Sequence, residues 1–287
     1  MRIAWADRKT IPTRIGRRLR SWLRGASKRR VLSSYAESVT GGDGDYLDVC
    51  RMGPLDSEVF AEFRRNPAYT TALEHVSEEH GREYLRLLSA EGRAGRNIGE
   101  AAKNDTVGGP VTIRLDSGLA ISPTTLRYLK VADDVEKLFG CLDGADVIEI
   151  GVGYGGQCRI LDSLFNIKSY TLVDLKPVLN LAEEFLSYFP LRCTLRFLTM
   201  NELLHQPYDF ALSNYAFTEL SREFQQVYLT KAVTNSRSGY ITYNDIAPPA
   251  FRTLSCDELC QRLGASTIPE RPLTHPRNCI IVWGTAT

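Results

Sequence analysis

The residues best placed to do chemistry lie between Val147 and Gly156, VIEIGVGYGG. An apolar run leads into Glu149 and then into glycines at 151, 153, 155 and 156. This pattern predicts a buried strand, a tight turn and a helix. Gly151 and Gly153 permit backbone angles that a side chain resists and let the chain approach a ligand closely. The helix that follows offers free N–H groups and the positive end of its dipole. Gly151, Gly153 and Gly156 satisfy the dinucleotide spacing G-x-G-x-x-G, with Asp174 at a suitable distance onward. An NAD(P)-dependent oxidoreductase therefore stays open on the glycines alone. Glu149 points elsewhere, because a second negative charge near the strand's end suits a cationic ligand better than a pyrophosphate.

S-adenosylmethionine is such a ligand, with a sulfonium, an ammonium and a ribose diol that seeks a carboxylate. Val147 to Gly155 resembles motif I of class I S-adenosylmethionine-dependent methyltransferases, acid and glycines included. Tyr170 to Asp174 (YTLVD) reads as the second strand, ending in the acid that would accept from the ribose hydroxyls. Ser122-Pro123 starts a helix running to Gly140, by a serine cap and a proline in the first turn. Arg127, near its start, is placed to reach the carboxylate of the cofactor. Further strands are expected at Cys193–Leu198, Tyr208–Ser213, Gly239–Asn244 and Asn278–Gly284, the last with an antiparallel partner near Ala265–Ile268, and a helix from Glu219 to Ser236. The fold class is α/β, a Rossmann-like seven-stranded sheet with an N-terminal helical region. Ligands of such sheets lie beyond the carboxyl ends of the strands. That places Asn201 near an adenine, and Ser213, Asn214, Tyr215 and Glu219 (from SNYAFTEL) around the site, with Asn244 and Asp245 after the fifth strand.

Longer stretches carry a narrower resemblance. SPTTLRYLK (122–130), EIGVGYGGQCR (149–159), VDL (173–175), SNYAFTEL (213–220), QVY (226–228) and GYITYN (239–244) are similar to a bacterial family of sugar O-methyltransferases. The resemblance covers about residues 100–287. It implies a sugar or glycolipid acceptor, and cofactor contacts at Glu149, Gly151, Gly153, Tyr154, Gly155, Gln157, Asp174 and Leu175, with Asn201, Ser213 and Arg127. Acceptor contacts are expected at Asn214, Tyr215, Asn244 and Asp245. A sugar hydroxyl is not acidic at neutral pH, so transfer needs alignment and a base. Glu219, Asp245, His205 and His275 are candidates; His275 and Glu219 are preferred, the first for its ordinary pKa. No metal site is expected. A cofactor-binding scaffold without turnover would show a lost glycine or acid, and none is lost.

The remaining sequence sets the frame. The 287 residues carry a net charge of +1, 43% hydrophobic residues and seven scattered cysteines, without zinc-ligand pairs. That composition fits a soluble globular protein with reduced thiols and a cytoplasmic setting. Charge is uneven: residues 1–30 hold eleven Lys or Arg against Asp7 alone, so the rest of the chain carries −9. Ile15, Leu19, Trp22 and Leu23 beside Arg14, Arg17, Arg18 and Arg20 form a basic amphipathic pattern. Peripheral contact with an anionic membrane face is one expectation for it; nucleic-acid binding is not expected, and no oligomeric state is implied. Three regions follow: a basic arm and connector (1–50), a helical region with a possible lid at Arg93–Pro110 (51–116), and the catalytic domain (117–287). His75 and His80, five apart, read as surface or core histidines.

Overall fold

The computed structural model describes residues 44–88 and 92–285. The basic arm, and with it the expected membrane contact, lies outside the described residues. Among the described residues, no helix is long and apolar enough to cross a membrane. Four helices come first: α1 (Gly44–Met52), α2 (Ser57–Glu62), α3 (Pro67–Ala72) and α4 (Glu78–Leu87). Two single turns follow, α5 (Arg93–Arg96) and α6 (Ile98–Ala101), and then a short hairpin, β1 (Ile113–Arg114) with β2 (Ala120–Ile121). The alternating part runs α7 (Pro123–Phe139), β3 (Asp146–Ile150), α8 (Gly156–Leu164), β4 (Ser169–Val173), α9 (Lys176–Ser187) and β5 (Thr194–Leu198). It continues through β6 (Tyr208–Asn214), α10 (Arg222–Lys231), β7 (Ser236–Tyr243), α11 (Cys256–Leu263), β8 (Ser266–Pro269) and β9 (Cys279–Trp283).

The large sheet has the order β5-β4-β3-β6-β7-β9-β8. Neighbours are parallel from β5 to β7, and β9 runs antiparallel to both β7 and β8. This is the Rossmann-like seven-stranded sheet of class I methyltransferases, with a helical N-terminal region. The order reverses between β3 and β6, which is where an open α/β sheet forms its ligand crevice. Side chains alternate between two cores. Val147, Tyr170, Leu172, Phe210 and Leu212 pack with α7, α8, α9 and the N-terminal helices. Ile148, Ile150, Ala211, Ile241 and Ile281 pack beneath α10 and α11. Burial on both faces explains why these strands read as continuous apolar runs.

Local signals set the helix ends. Ser122 accepts from Thr125 N–H at the start of α7, and Pro123 needs no donor there. Asp56 caps α2 by accepting from Glu58 N–H and Val59 N–H. Ser255 and Glu258 form a reciprocal capping box on α11, closed by Gly264 in the left-handed region.

Three expectations need correction. The connector ahead of residue 52 contains α1, whose Tyr46, Leu47, Val49 and Cys50 are buried; its packing on α9 outweighs the glycines before it. The helix expected from Glu219 to Ser236 is broken: Ala216–Glu219 and Val233–Asn235 are 3-10 turns on either side of α10. The expected lid at 93–110 is folded into the body. Asn104 is fully buried and donates to Gly156 O, and the Asp105 carboxylate accepts from Ser122 N–H, Ser122 Oγ and Thr125 Oγ1.

Arg64 gathers these segments. It is 0% exposed, with Nε 2.6 Å from Glu74 and Nη1 2.9 Å from Asp105. Its guanidinium also donates to Asn104 O and Ser122 Oγ. Removing one partner of a buried ion cluster strands the others in low dielectric. Arg64→Ala is therefore expected to lower unfolding free energy by about 3–5 kcal/mol, read from urea denaturation. Loss of less than ~1 kcal/mol would show that the cluster is solvated in solution.

Candidate active site

A pocket of about 780 Å³ opens at the carboxyl ends of β3, β4, β6 and β7. Its floor is the glycine turn, and its cover is the segment from Thr71 to Tyr84. Gly151 has φ 77°, and a Cβ there would meet Ala216 Cβ at 2.0 Å. Gly153 has φ 53°, and a Cβ there would meet Leu73 of the cover at 3.0 Å. Both positions thus need glycine for conformation and for close approach.

The structure brings many of the expected residues to this pocket. Glu149, Gly151, Gly153, Asp174, Leu175, Asn201 and Arg127 line it, and so do Asn214, Tyr215, Glu219, Asn244 and His275. Five others do not, and each has a structural reason. Tyr154 turns into the core, below the Arg64 guanidinium (4.5 Å to its ring) and edge-on to Phe185. Gly155 is the left-handed cap of α8. Gln157 is buried and donates to Tyr128 O. Ser213 braces the turn, donating to Ile150 O and accepting from Phe217 N–H. Asp245 pairs with Arg277 at 2.7 Å on the exposed side. His205, one of the four candidate bases, is exposed and does not line the pocket.

Other residues at the site were not singled out as site residues from the sequence. His75, His80 and Tyr84 line the pocket from the cover. No local pattern marks them, because only the docking of the cover brings them there. Glu270 lies behind the site, buried, and holds two of its parts together. It accepts from Tyr215 OH at 2.5 Å, from Thr274 N–H and from Thr274 Oγ1. The loop that carries His275 is thereby tied to the end of β6. Tyr215 itself has φ 67°, an uncommon value for a bulky residue.

The electrostatics are arranged by region. Glu149 is 2% exposed, and burial pushes its carboxyl up to about 8, against the pull of the Tyr170 hydroxyl bonded to it at 2.7 Å. Burial likewise raises Asp174 to about 6, although it accepts from Val152 N–H and Leu175 N–H. Burial raises Glu219 too, against a hydrogen bond from Asn244 Nδ2 at 2.7 Å. Desolvation and the charge of Arg127 push the His75 imidazole below its ordinary range. Arg127 is 7% exposed, and its Nε has no hydrogen-bond partner. Its guanidinium lies 5.6 Å from the rings of both Tyr128 and Tyr215. Among the described residues, no group of three acids, histidines or cysteines is arranged to hold a metal ion.

No protein-family model matches the chain, and no curated protein matches it. Solved structures overlap it in part. A magnesium protoporphyrin IX methyltransferase from Synechocystis PCC 6803, with bound S-adenosylhomocysteine, shares 12% identity at TM-score 0.40, over 54% of this chain and 80% of that one. The methyltransferase domain of a bacterial Hen1 protein shares 17% at TM-score 0.39, over 54% and 95% of the two chains. A Thermoplasma acidophilum protein shares 17% at TM-score 0.39, over 55% and 88%. Overlaps this loose add nothing to the strand order, which carries the fold assignment.

The acid at 149 yields a prediction about stability. In the unfolded chain a glutamate ionises near 4.5, whereas in the fold Glu149 holds its proton to about 8. Stability from this group is full below the lower value. It falls by about 1.4 kcal/mol per pH unit between roughly 5 and 8. Glu149→Gln should remove that slope, so the variant gains on the wild type as pH rises. Parallel denaturation curves for the two proteins from pH 5 to 9 would refute this assignment.

Proposed function

We propose that the protein is an S-adenosylmethionine-dependent O-methyltransferase whose acceptor is a sugar hydroxyl of a glycan, glycolipid or nucleotide sugar. The observation that carries the cofactor class is the charge layout of one pocket. Two acids, Asp174 and Glu149, stand by a close-approach glycine turn, and a buried guanidinium with an unpartnered Nε, Arg127, lines the same cavity. A ligand with a diol, a central cation and a carboxylate answers each of these. A dinucleotide would place its pyrophosphate on the glycine turn, close to Glu149, and would not call for a cation at Arg127.

When bound, S-adenosylmethionine supplies an electrophilic methyl group on its sulfonium. The protein's own residues do the rest. Asp174 accepts from the ribose hydroxyls, exchanging the backbone N–H bonds that now occupy it. Gly151 and Gly153 let the turn close on the ligand. Arg127 holds the carboxylate through charge-assisted hydrogen bonds, and Glu149, when ionised, favours the cation. Glu219 or His275 takes the proton of the acceptor hydroxyl, and a raised carboxyl pKa makes Glu219 a stronger base. The sugar class is supported by the sequence resemblance and by the groups at the other end of the pocket. Asn214, Asn244 and Asn278 offer amides to hydroxyl groups, and Tyr84 and Tyr215 offer rings to a pyranose face.

Calorimetry tests the reading in two steps. S-adenosylhomocysteine should bind in the micromolar range and NADH should not. Asp174→Ala should weaken S-adenosylhomocysteine by about 10- to 150-fold, the equivalent of losing about 1.5–3 kcal/mol of hydrogen bonds to a charged acceptor. Binding of NADH instead would overturn the methyltransferase reading.

The second step concerns Arg127. Arg127→Ala should weaken S-adenosylhomocysteine by at least tenfold yet leave 5′-methylthioadenosine, which lacks the amino-acid end, unchanged. Equal losses for the two ligands would show that Arg127 supports the fold and not the carboxylate.

A further inference from the structure

Away from the pocket, three of the seven cysteines gather where α11 meets β9. Cys256 opens α11 and Cys279 opens β9. Their sulfurs lie 3.4 Å apart, and both residues are half-buried. Cys260 stands one helical turn from Cys256, also half-buried. Two thiols in contact across separate elements are poised for chemistry that a lone thiol lacks, since little movement is needed to join them. A second pair, Cys158 and Cys193, also touches across separate elements, but both are buried, as is Cys50, where an oxidant does not reach them; Cys141 is exposed.

We propose that Cys256 and Cys279 form a redox-active dithiol that a hydroperoxide closes to a disulfide. The step balances. One sulfur attacks a peroxide oxygen, the O–O bond breaks, and water leaves with the thiol proton, giving a sulfenic acid. The other sulfur displaces the sulfenic hydroxyl, which departs as a second water while the S–S bond forms. Two electrons pass from the thiols to the peroxide. Cys260 cannot replace Cys279 in this role, because residues four apart on one helix do not reach disulfide geometry without unwinding it.

The position of the pair gives closure a consequence. The chain between the two cysteines holds β8 and the loop with Glu270, Thr274, His275 and Asn278. A bond from Cys256 to Cys279 fastens both ends of that segment while leaving the glycine turn untouched. The unfolded chain loses freedom when a loop of this length is closed, so the oxidised fold gains stability. Burial also pushes Cys256 up to about 12 and raises Cys279, which keeps both protonated and slows reaction with dilute oxidant. None of this rests on the methyl-transfer reading.

The test uses the full chain and hydrogen peroxide. Oxidised protein is alkylated, digested and sequenced by mass spectrometry. A peptide pair joined through Cys256 and Cys279 is expected, with free thiols reduced by two of the seven and a higher melting temperature that dithiothreitol reverses. Cys260→Ser should retain the joined pair and Cys279→Ser should abolish it. Phenylarsine oxide, which bridges neighbouring thiols and could also span Cys256 and Cys260, should bind reduced Cys260→Ser and fail with the double variant Cys260→Ser/Cys279→Ser. The proposal is overturned if no joined pair forms, if Cys256 pairs with another cysteine instead, or if oxidation lowers the melting temperature.

Discussion

One guanidinium holds the working parts of this fold in register. Arg64 lies where no water reaches and donates into three segments: Glu74 in the cover, Asn104 and Asp105 in the turn after α6, and the Ser122 cap of α7, while Tyr154 of the glycine turn packs against its face. Two carboxylates around one cation leave a negative excess. Asp105 is further bonded by Ser122 N–H, Ser122 Oγ and Thr125 Oγ1. A buried ionic cluster adds little net energy over apolar packing of the same volume. What it specifies is geometry, because a planar fork of donors accepts few arrangements of its partners. The cover can dock in one way, and that docking makes the pocket.

The pocket therefore depends on two parts with different jobs. The sheet supplies the turn, the acids at the ends of β3 and β4, and the polar residues after β6 and β7. The cover supplies His75, His80 and Tyr84. The Asp174 half resembles sites on many sheets of this topology, since a switch point and a glycine turn recur wherever the order reverses. The half under the cover depends on the docking of Thr71 to Tyr84. Glu270 braces the sheet side by bonding Tyr215 and Thr274 together, so that a residue after β6 and the loop before β9 keep one spacing.

This division also decides what could be read in the sequence. The glycine turn, Asp174, the Ser122 cap and all seven strands of the large sheet come from signals a few residues long, and the structure has them within a residue or two, except that β7 begins three residues early, at Ser236. Tyr154, Gln157 and Ser213 lie within the same motifs, yet they face away from the pocket. Motif membership says which residues are near a ligand and not which way each side chain turns. Here Arg64, Tyr128 O and Ile150 O take those three side chains. The segment at 93–110 looked like a lid because it is polar and rich in glycine. Its polar groups are instead spent on Arg64, Ser122 and Gly156, partners far off in sequence. His75 and Glu270 were hidden for the same reason: each owes its place to contacts between elements.

Several costly features meet at the pocket. Much of the chain elsewhere obeys local rules, with capped helices, apolar strands and paired surface charges, although Tyr69 OH and Thr171 Oγ1 are also buried without partners and Arg252 also has a positive φ. Around the pocket it breaks them three times: a buried acid that resists ionisation at 149, a buried guanidinium with an unpartnered Nε at 127, and a tyrosine in left-handed backbone at 215. Each opposes folding, and such costs persist where the surrounding structure enforces them. Two of the three share a property. Glu149 has no positive charge among the groups acting on it, and the carboxylate that acts on Arg127, Glu74, is bonded to Arg64 instead. A ligand with a cation and a carboxylate would supply both at once, so the free energy withheld from folding becomes available to binding. A rearrangement that paired Glu149 with Arg127 directly would stabilise the empty fold and remove that advantage. They stand on different elements, β3 and α7, whose relative position the Arg64 cluster helps to fix.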